Sequence, residues 1–205
     1  MTWPDLVVAQ AAVSTGLGAP VRLRATTTPL PPGALFPGER SVRDQLGSVA
    51  RRRDWCLGRA ALRLLLDGAD TSTVAFPHPH LSLTHAAGVA VAAGCDNGSV
   101  GLGIDFEGWR PIDPRAARFY LRSRERRAIG SADDLLRLWT VKEALYKATA
   151  DNATGGLLDY EVDDPSASGG TAWDRRGGVF RYVSSCLPEG RLTVAICTGV
   201  ARAAV

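Results

Sequence analysis

Gly101-Leu102-Gly103-Ile104-Asp105-Phe106-Glu107 alternates apolar side chains with glycine or acid, the period-two pattern of a half-buried strand. Leu102, Ile104 and Phe106 share one face. Gly103, Asp105 and Glu107 share the other, with the two carboxylates roughly 6–7 Å apart along the strand. Its partner is Trp139-Thr140-Val141-Lys142-Glu143-Ala144-Leu145-Tyr146-Lys147, whose spacing predicts a helix carrying Glu143 and Lys147 one turn apart on one face. Asp105, Glu107 and Glu143 together make a three-carboxylate Mg²⁺ site with cations beside it. Such a site suits a phosphate or diphosphate ester. The blander readings are a solvent-facing strand and an i,i+4 ion pair worth about 0.3–0.5 kcal/mol. A strand whose polar side holds only acids favours the metal.

The 205-residue chain is 45% hydrophobic and 22% charged, an ordinary globular composition for one large domain or two small ones sharing a core. Its longest apolar run, Ala86 to Cys95, is strand-sized and far too short to span a membrane. Met1-Thr2-Trp3-Pro4-Asp5 lacks the basic region and apolar core of a signal peptide, so a cytoplasmic protein is expected. Cys56, Cys95, Cys186 and Cys197 are scattered, and His78, His80 and His85 have no zinc-ligand spacing. Free thiols in a reducing compartment are the expectation. A net charge of +3 does not call for nucleic acid, but seven arginines between Arg40 and Arg63 face only Asp44 and Asp54. That patch suits either an anionic ligand, an acidic protein or plain solvent.

Outward from the opening strand, Asp96-Asn97-Gly98 predicts a hairpin turn joining it to a strand over Gly88 to Cys95. The hairpin would bring Thr84-His85, at the end of the extended piece Leu81 to His85, toward the acids. Upstream, Val42 to Leu66 reads as one helix with Gly58 inside it, and residues 1–30 hold short strands or strand-helix pieces. Downstream, Ser131 opens a helix running to about Thr149. Strands are expected at Leu157 to Val162, Thr171 to Trp173, Val179 to Ser184 and Leu192 to Cys197. Trp139 reads as a packing residue. Of the two lysines, Lys147 is the better phosphate ligand because it shares the face of Glu143, with Lys142 next.

An internal repeat organises the whole. Trp55-Cys56-Leu57-Gly58-Arg59-Ala60-Ala61-Leu62-Arg63 aligns without a gap to Trp139 through Lys147, placing Arg59 opposite Glu143 and Arg63 opposite Lys147. Each segment lies in the longest helix of its half, which points to two similar α/β halves divided near residue 103.

These residues resemble the 4'-phosphopantetheinyl transferases of the larger, pseudo-dimeric surfactin/enterobactin synthetase type. Gly103-Ile104-Asp105-Phe106-Glu107 is similar to the family's Gly-Ile-Asp-x-Glu, and Trp139 to Lys147 to its Trp-x-x-Lys-Glu-Ala-x-x-Lys. Leu81 to His85 resembles its Ser-x-Ser/Thr-His, and Gly58-Arg59 with Arg63 its Gly-Arg-x-x-x-Arg helix. The resemblance implies an α/β (α+β) fold of two subdomains related by pseudo-two-fold symmetry, each a long helix on a small, mostly antiparallel sheet. Residues 1–103 would form the CoA-phosphate and carrier side and residues 104–205 the Mg²⁺ side. It implies transfer of the 4'-phosphopantetheine arm of coenzyme A to a serine of an acidic apo carrier protein, with release of 3',5'-ADP, by a monomer using Mg²⁺ or Mn²⁺. Asp105, Glu107 and Glu143 would hold the metal, and Glu143 or a water would deprotonate the serine. Lys147, seconded by Lys142, would steady the diphosphate, with Thr84, His85, Arg52 and Arg59 as further phosphate contacts.

The chain departs from that pattern at Phe76-Pro77-His78-Pro79-His80, which replaces a glycine-rich piece, and it has no lysine or arginine between Arg63 and Arg110. His78, His80 or the earlier arginines are then left to meet the 3'-phosphate of CoA. Two other classes compete with the transferase: a Mg²⁺-dependent phosphohydrolase of CoA or another diphosphate, and a non-catalytic CoA- or carrier-binding protein.

Overall fold

A computed structural model describes residues 4–96, 101–149 and 155–200. Among the described residues, five α-helices accompany eight strands that form two antiparallel sheets. Helix α1 (Pro4–Leu17) precedes strand β1 (Val21–Thr26), and helices α2 (Pro37–Asp44) and α3 (Val49–Leu65) follow. Strands β2 (Leu81–Ala86) and β3 (Val89–Cys95) complete a three-stranded sheet in the order β1-β3-β2. Strand β4 (Leu102–Gly108) opens the second half. Helices α4 (Ser123–Arg127) and α5 (Ala132–Lys147) come next, then β5 (Glu161–Val162), β6 (Gly169–Trp173), β7 (Gly178–Leu187) and β8 (Gly190–Val200). The second sheet has five strands in the order β4-β8-β7-β6-β5. An α/β fold is therefore observed, with sheets of unequal size.

Within that inequality the same connection recurs. A strand, a long helix and a hairpin give the order β1-β3-β2 in the first half and β4-β8-β7 in the second, with α3 and α5 as the helices. The inner faces share one core. Val21 and Leu23 of β1, Val91 and Ala93 of β3, Leu102, Ile104 and Phe106 of β4, and Val194 of β8 are all buried there beside Val13 and Leu17 of α1. Outside it, Leu57, Ala61 and Leu62 of α3 cover Ala90 and Ala92, while Val141, Ala144 and Leu145 of α5 cover Phe180, Tyr182 and Ala195. The alternation of β4 is thus answered on both sides: apolar residues inward, glycines and acids under α5.

Several expectations are corrected. The first long helix is broken into α2 and α3 because Ser48, extended at φ −133°, caps α3 by accepting the Arg51 N–H at 3.2 Å. Of the strands or strand-helix pieces expected in residues 1–30, Leu6 to Ala12 is wholly helical, within α1, and Val21 to Ala25 falls in strand β1. Leu157 to Val162 shrinks to a 3-10 turn at Leu157–Asp159 and the two-residue β5. Most consequentially, β3 does not pair with β4: it lies between β1 and β2. The hairpin is β2–β3, turned through Ala87 and Gly88 at φ 51° and 76°, the left-handed pair that a tight hairpin turn requires. Asn97-Gly98, the expected turn, lies outside the described residues. Strand β2 still reaches β4, but through side chains. Ser82 Oγ accepts the Ile104 N–H at 3.0 Å and Thr84 Oγ1 accepts the Phe106 N–H at 3.1 Å. Two hydroxyls do there what a backbone ladder does elsewhere.

Candidate active site

Two glycines set the geometry. A Cβ on Gly103 would sit 1.9 Å from the Ala144 carbonyl oxygen, and one on Gly101 would sit 1.8 Å from that of Ala148. Helix α5 therefore lies backbone against backbone on the start of β4, which only glycine permits. Strand and helix run in opposite directions, so Gly101 lies at Ala148, Gly103 at Ala144 and Glu107, farther along β4, at Trp139, earlier in α5. Lys147, from the last turn, reaches Asp105 and the Ile104 carbonyl.

Asp105 is 5% exposed. Its Oδ1 accepts from Lys147 Nζ at 2.7 Å and from Thr84 Oγ1 at 3.2 Å. Lys147 also donates to the Ile104 carbonyl at 3.1 Å. The Asp105 Oδ2 is buried without a partner. Burial pushes the Asp105 carboxyl up, opposed by Lys147 and reinforced by Glu107. Glu143 is likewise raised, first by burial and then by the negative charge of Asp105. Glu107 turns toward a different pair, accepting from Trp139 Nε1 on Oε1 at 2.9 Å and from Arg110 Nε on Oε2 at 3.2 Å.

Asp105, Glu107 and Glu143 are thus electrostatic neighbours. Among the described residues, no three His, Cys, Asp or Glu side chains form a ready-made metal cluster. The donor chemistry nevertheless fits Mg²⁺. Three hard carboxylates are in play, two of them held above their ordinary protonation range by burial and mutual repulsion. One buried oxygen, Asp105 Oδ2, lacks the partner that a buried polar atom requires.

The other expected site residues divide. Thr84 reaches the acids, but its hydroxyl is spent between the Phe106 N–H and Asp105, so it positions the carboxylate. His85, next along the strand, points the other way and is exposed. It lines a groove of about 340 Å³ between α3 and β2 with Arg51, Trp55, Gly58, Phe76 and Leu83. Lys142, expected at phosphate, is fully buried and donates to Glu125 Oε1 at 2.6 Å and to the Tyr160 carbonyl. Burial pulls its pKa down against the pull of Glu125, and it is a structural ion pair. Arg59 is also committed elsewhere. Its guanidinium donates to the Thr71 and Val74 carbonyls at 2.7 to 3.3 Å and stacks on Trp55 at 4.9 Å. It clamps the loop that carries Phe76. Arg63 pairs with the buried Glu39. Arg52 spends its Nε on the Leu46 carbonyl at 2.9 Å. Much of the expected basic patch is therefore scaffolding. His78 accepts the His80 and Leu81 N–H groups on Nδ1, both at 3.1 Å, and burial lowers its pKa.

Two participants were missed. Arg110 had a signal, since it stands three residues past Glu107 where the strand ends. Tyr120, whose ring meets Trp139 edge-on at 5.1 Å and 88°, had none, because its neighbour comes from a separate helix.

No curated protein matches the chain. Residues 101–197, just under half the chain and the part that holds β4, α5, Asp105, Glu107, Glu143 and Lys147, match the family model of the 4'-phosphopantetheinyl transferase superfamily.

Proposed function

We propose that the protein is a 4'-phosphopantetheinyl transferase of the larger, two-half kind, moving the phosphopantetheine arm of coenzyme A to a serine of an acidic apo carrier protein and releasing 3',5'-ADP. The observation that carries this reading is the meeting of Asp105, Glu143 and Lys147 at the β4–α5 contact, inside the stretch that matches the superfamily. Asp105, Glu107 and Glu143 would hold Mg²⁺, which when bound supplies charge neutralisation for the diphosphate and the leaving group. Mn²⁺ would serve in its place.

The chain's own residues do the rest. Glu143, its carboxyl raised by burial and by Asp105, accepts the proton of the carrier serine. The serine Oγ bonds to the phosphorus that bears pantetheine as the P–O bond to 3',5'-ADP breaks. Lys147 is kept at the acids by Asp105 and the Ile104 carbonyl, from where its ammonium steadies the departing phosphate. Thr84 fixes the Asp105 oxygen that Lys147 also holds. The groove beside His85 takes the nucleotide end of CoA, with His85 and Arg51 on its wall and Arg52 as a further phosphate contact.

The repeated strand order around α3 and α5 supports two subdomains, residues 1–103 and 104–205, related by a pseudo-two-fold axis. The second is extended by β5 and β6. A cytoplasmic monomer is the form proposed.

The test is incubation with CoA, Mg²⁺ and an apo carrier, read by mass spectrometry. The carrier gains one phosphopantetheine arm, and Asp105→Ala and Glu143→Ala each abolish the gain with the fold retained. CoA consumed without modification of any carrier would make the protein a hydrolase. Full activity in both variants would remove these acids from the chemistry.

A further inference from the structure

Trp139 has an unexplained commitment. Its indole N–H donates to Glu107 Oε1 at 2.9 Å, and its ring is set by Tyr120 edge-on at 5.1 Å. Tyr120 is itself 1% exposed and anchored through its hydroxyl to the Leu135 carbonyl at 3.3 Å. A part-buried indole N–H needs an acceptor, and the one it finds here is a carboxylate of the acid cluster rather than a main-chain oxygen. We infer that Trp139 is a positioning residue that aims the Glu107 carboxylate at the divalent cation shared with Asp105 and Glu143, an inference that rests on the metal site proposed above.

The choice of donor matters. A neutral indole N–H takes one of the two lone pairs of Oε1 and leaves the other free. It fixes direction without cancelling charge. Arg110, on Oε2 at 3.2 Å, is a cation, but its side chain is 49% exposed, so solvent screens its pull. Glu107 is thereby oriented firmly by a neutral group and only loosely by a charged one. Asp105 keeps its capacity by another route: one oxygen is held by Thr84 and the Lys147 ammonium, and the other is left open. Each strand carboxylate thus keeps coordinating capacity while its rotation is blocked. Fixing a metal-binding group through its outer hydrogen bond contributes about tenfold or more in metal affinity.

The experiment follows Mn²⁺ binding by the EPR signal of the free ion, on the whole protein, with and without CoA. It compares the wild type, Asp105→Ala, Trp139→Phe, and protein carrying β-(3-benzothienyl)alanine at position 139, which keeps the indole shape and lacks the N–H. Thermal melting is read alongside. Asp105→Ala should lose binding. Both changes at 139 should weaken it about tenfold, and the benzothienyl protein should melt as the wild type does. Wild-type or tighter affinity in the benzothienyl protein, with Asp105→Ala still defective, overturns the role of Trp139 and leaves the metal site standing. Equal binding by wild type and Asp105→Ala overturns the metal site, and this inference with it.

Discussion

Lys142 and Lys147 stand five positions apart on α5 and live in opposite environments. Lys142 is sealed between Glu125 and Tyr160, with both charged side chains of its ion pair at 0% exposure. Removing one partner strands a buried charge and costs about 3–5 kcal/mol. Lys142→Met should therefore lower the urea midpoint sharply. Lys147, 28% exposed beside Asp105, should behave in reverse. Lys147→Met leaves the buried Asp105 without its cation, but that carboxyl, already pushed up by burial, can take up a proton, so stability should fall less than in Lys142→Met while carrier modification is suppressed. Helical spacing put the two lysines on different faces, and to that extent the sequence was legible. Which face was interior was not, because Glu125 reaches Lys142 from another helix 17 residues upstream. The same blindness affected Arg59: a guanidinium in a motif looks alike whether it meets phosphate or two backbone carbonyls.

At the level of elements, period two gave strand β4 and period 3.6 gave helix α5, and the shared acids placed them side by side. The close backbone approach at Gly101 and Gly103 was not readable, because a glycine in a strand pattern looks the same whether or not another backbone lies against it. Gly103→Ala should be among the most damaging small substitutions in the chain. Its methyl group would meet a helix carbonyl that cannot step aside, and overpacking costs about 1–3 kcal/mol or more. A fall in melting temperature with a parallel loss of activity would be the signature. The placement of β3 was not readable, since a strand of small apolar residues pairs equally well on either side. The link of β2 to β4 was hidden for a subtler reason: it runs through the hydroxyls of Ser82 and Thr84, for which strand patterns carry no sign. Thr84→Val removes the acceptor for the buried Phe106 N–H at a cost of about 1–3 kcal/mol. It should also free Asp105, so carrier modification should fall further than stability alone explains.

On the scale of the molecule, one buried acid ties distant segments of the first half together. Glu39, 0% exposed, accepts from Thr71 and Arg63 and from the Phe36 N–H at 3.0 Å. Burial pushes its carboxyl up, but these hydrogen bonds and the Arg63 charge outweigh it and hold the group below its ordinary 4.5. A depressed folded-state value means that the stabilisation is complete above the unfolded-state range and is lost as the pH falls through the folded-state value. Urea midpoints measured downward from pH 7 should drop steeply below 4.5 in the wild type. In Glu39→Gln, already weakened at neutral pH, the slope in that range should be shallower. Identical slopes would place the acid sensitivity elsewhere.

The Arg59 clamp has one more consequence. Its three donated hydrogen bonds end on the main-chain oxygens of Thr71 and Val74, atoms that every amino acid owns. The helix thus dictates the course of the neighbouring loop without reading its side chains. Thr73, exposed to solvent, is free to drift in evolution, or to be exchanged by an engineer, while Phe76 is delivered to the same wall of the groove. A chain built this way can retune what its groove prefers and keep the frame that holds it.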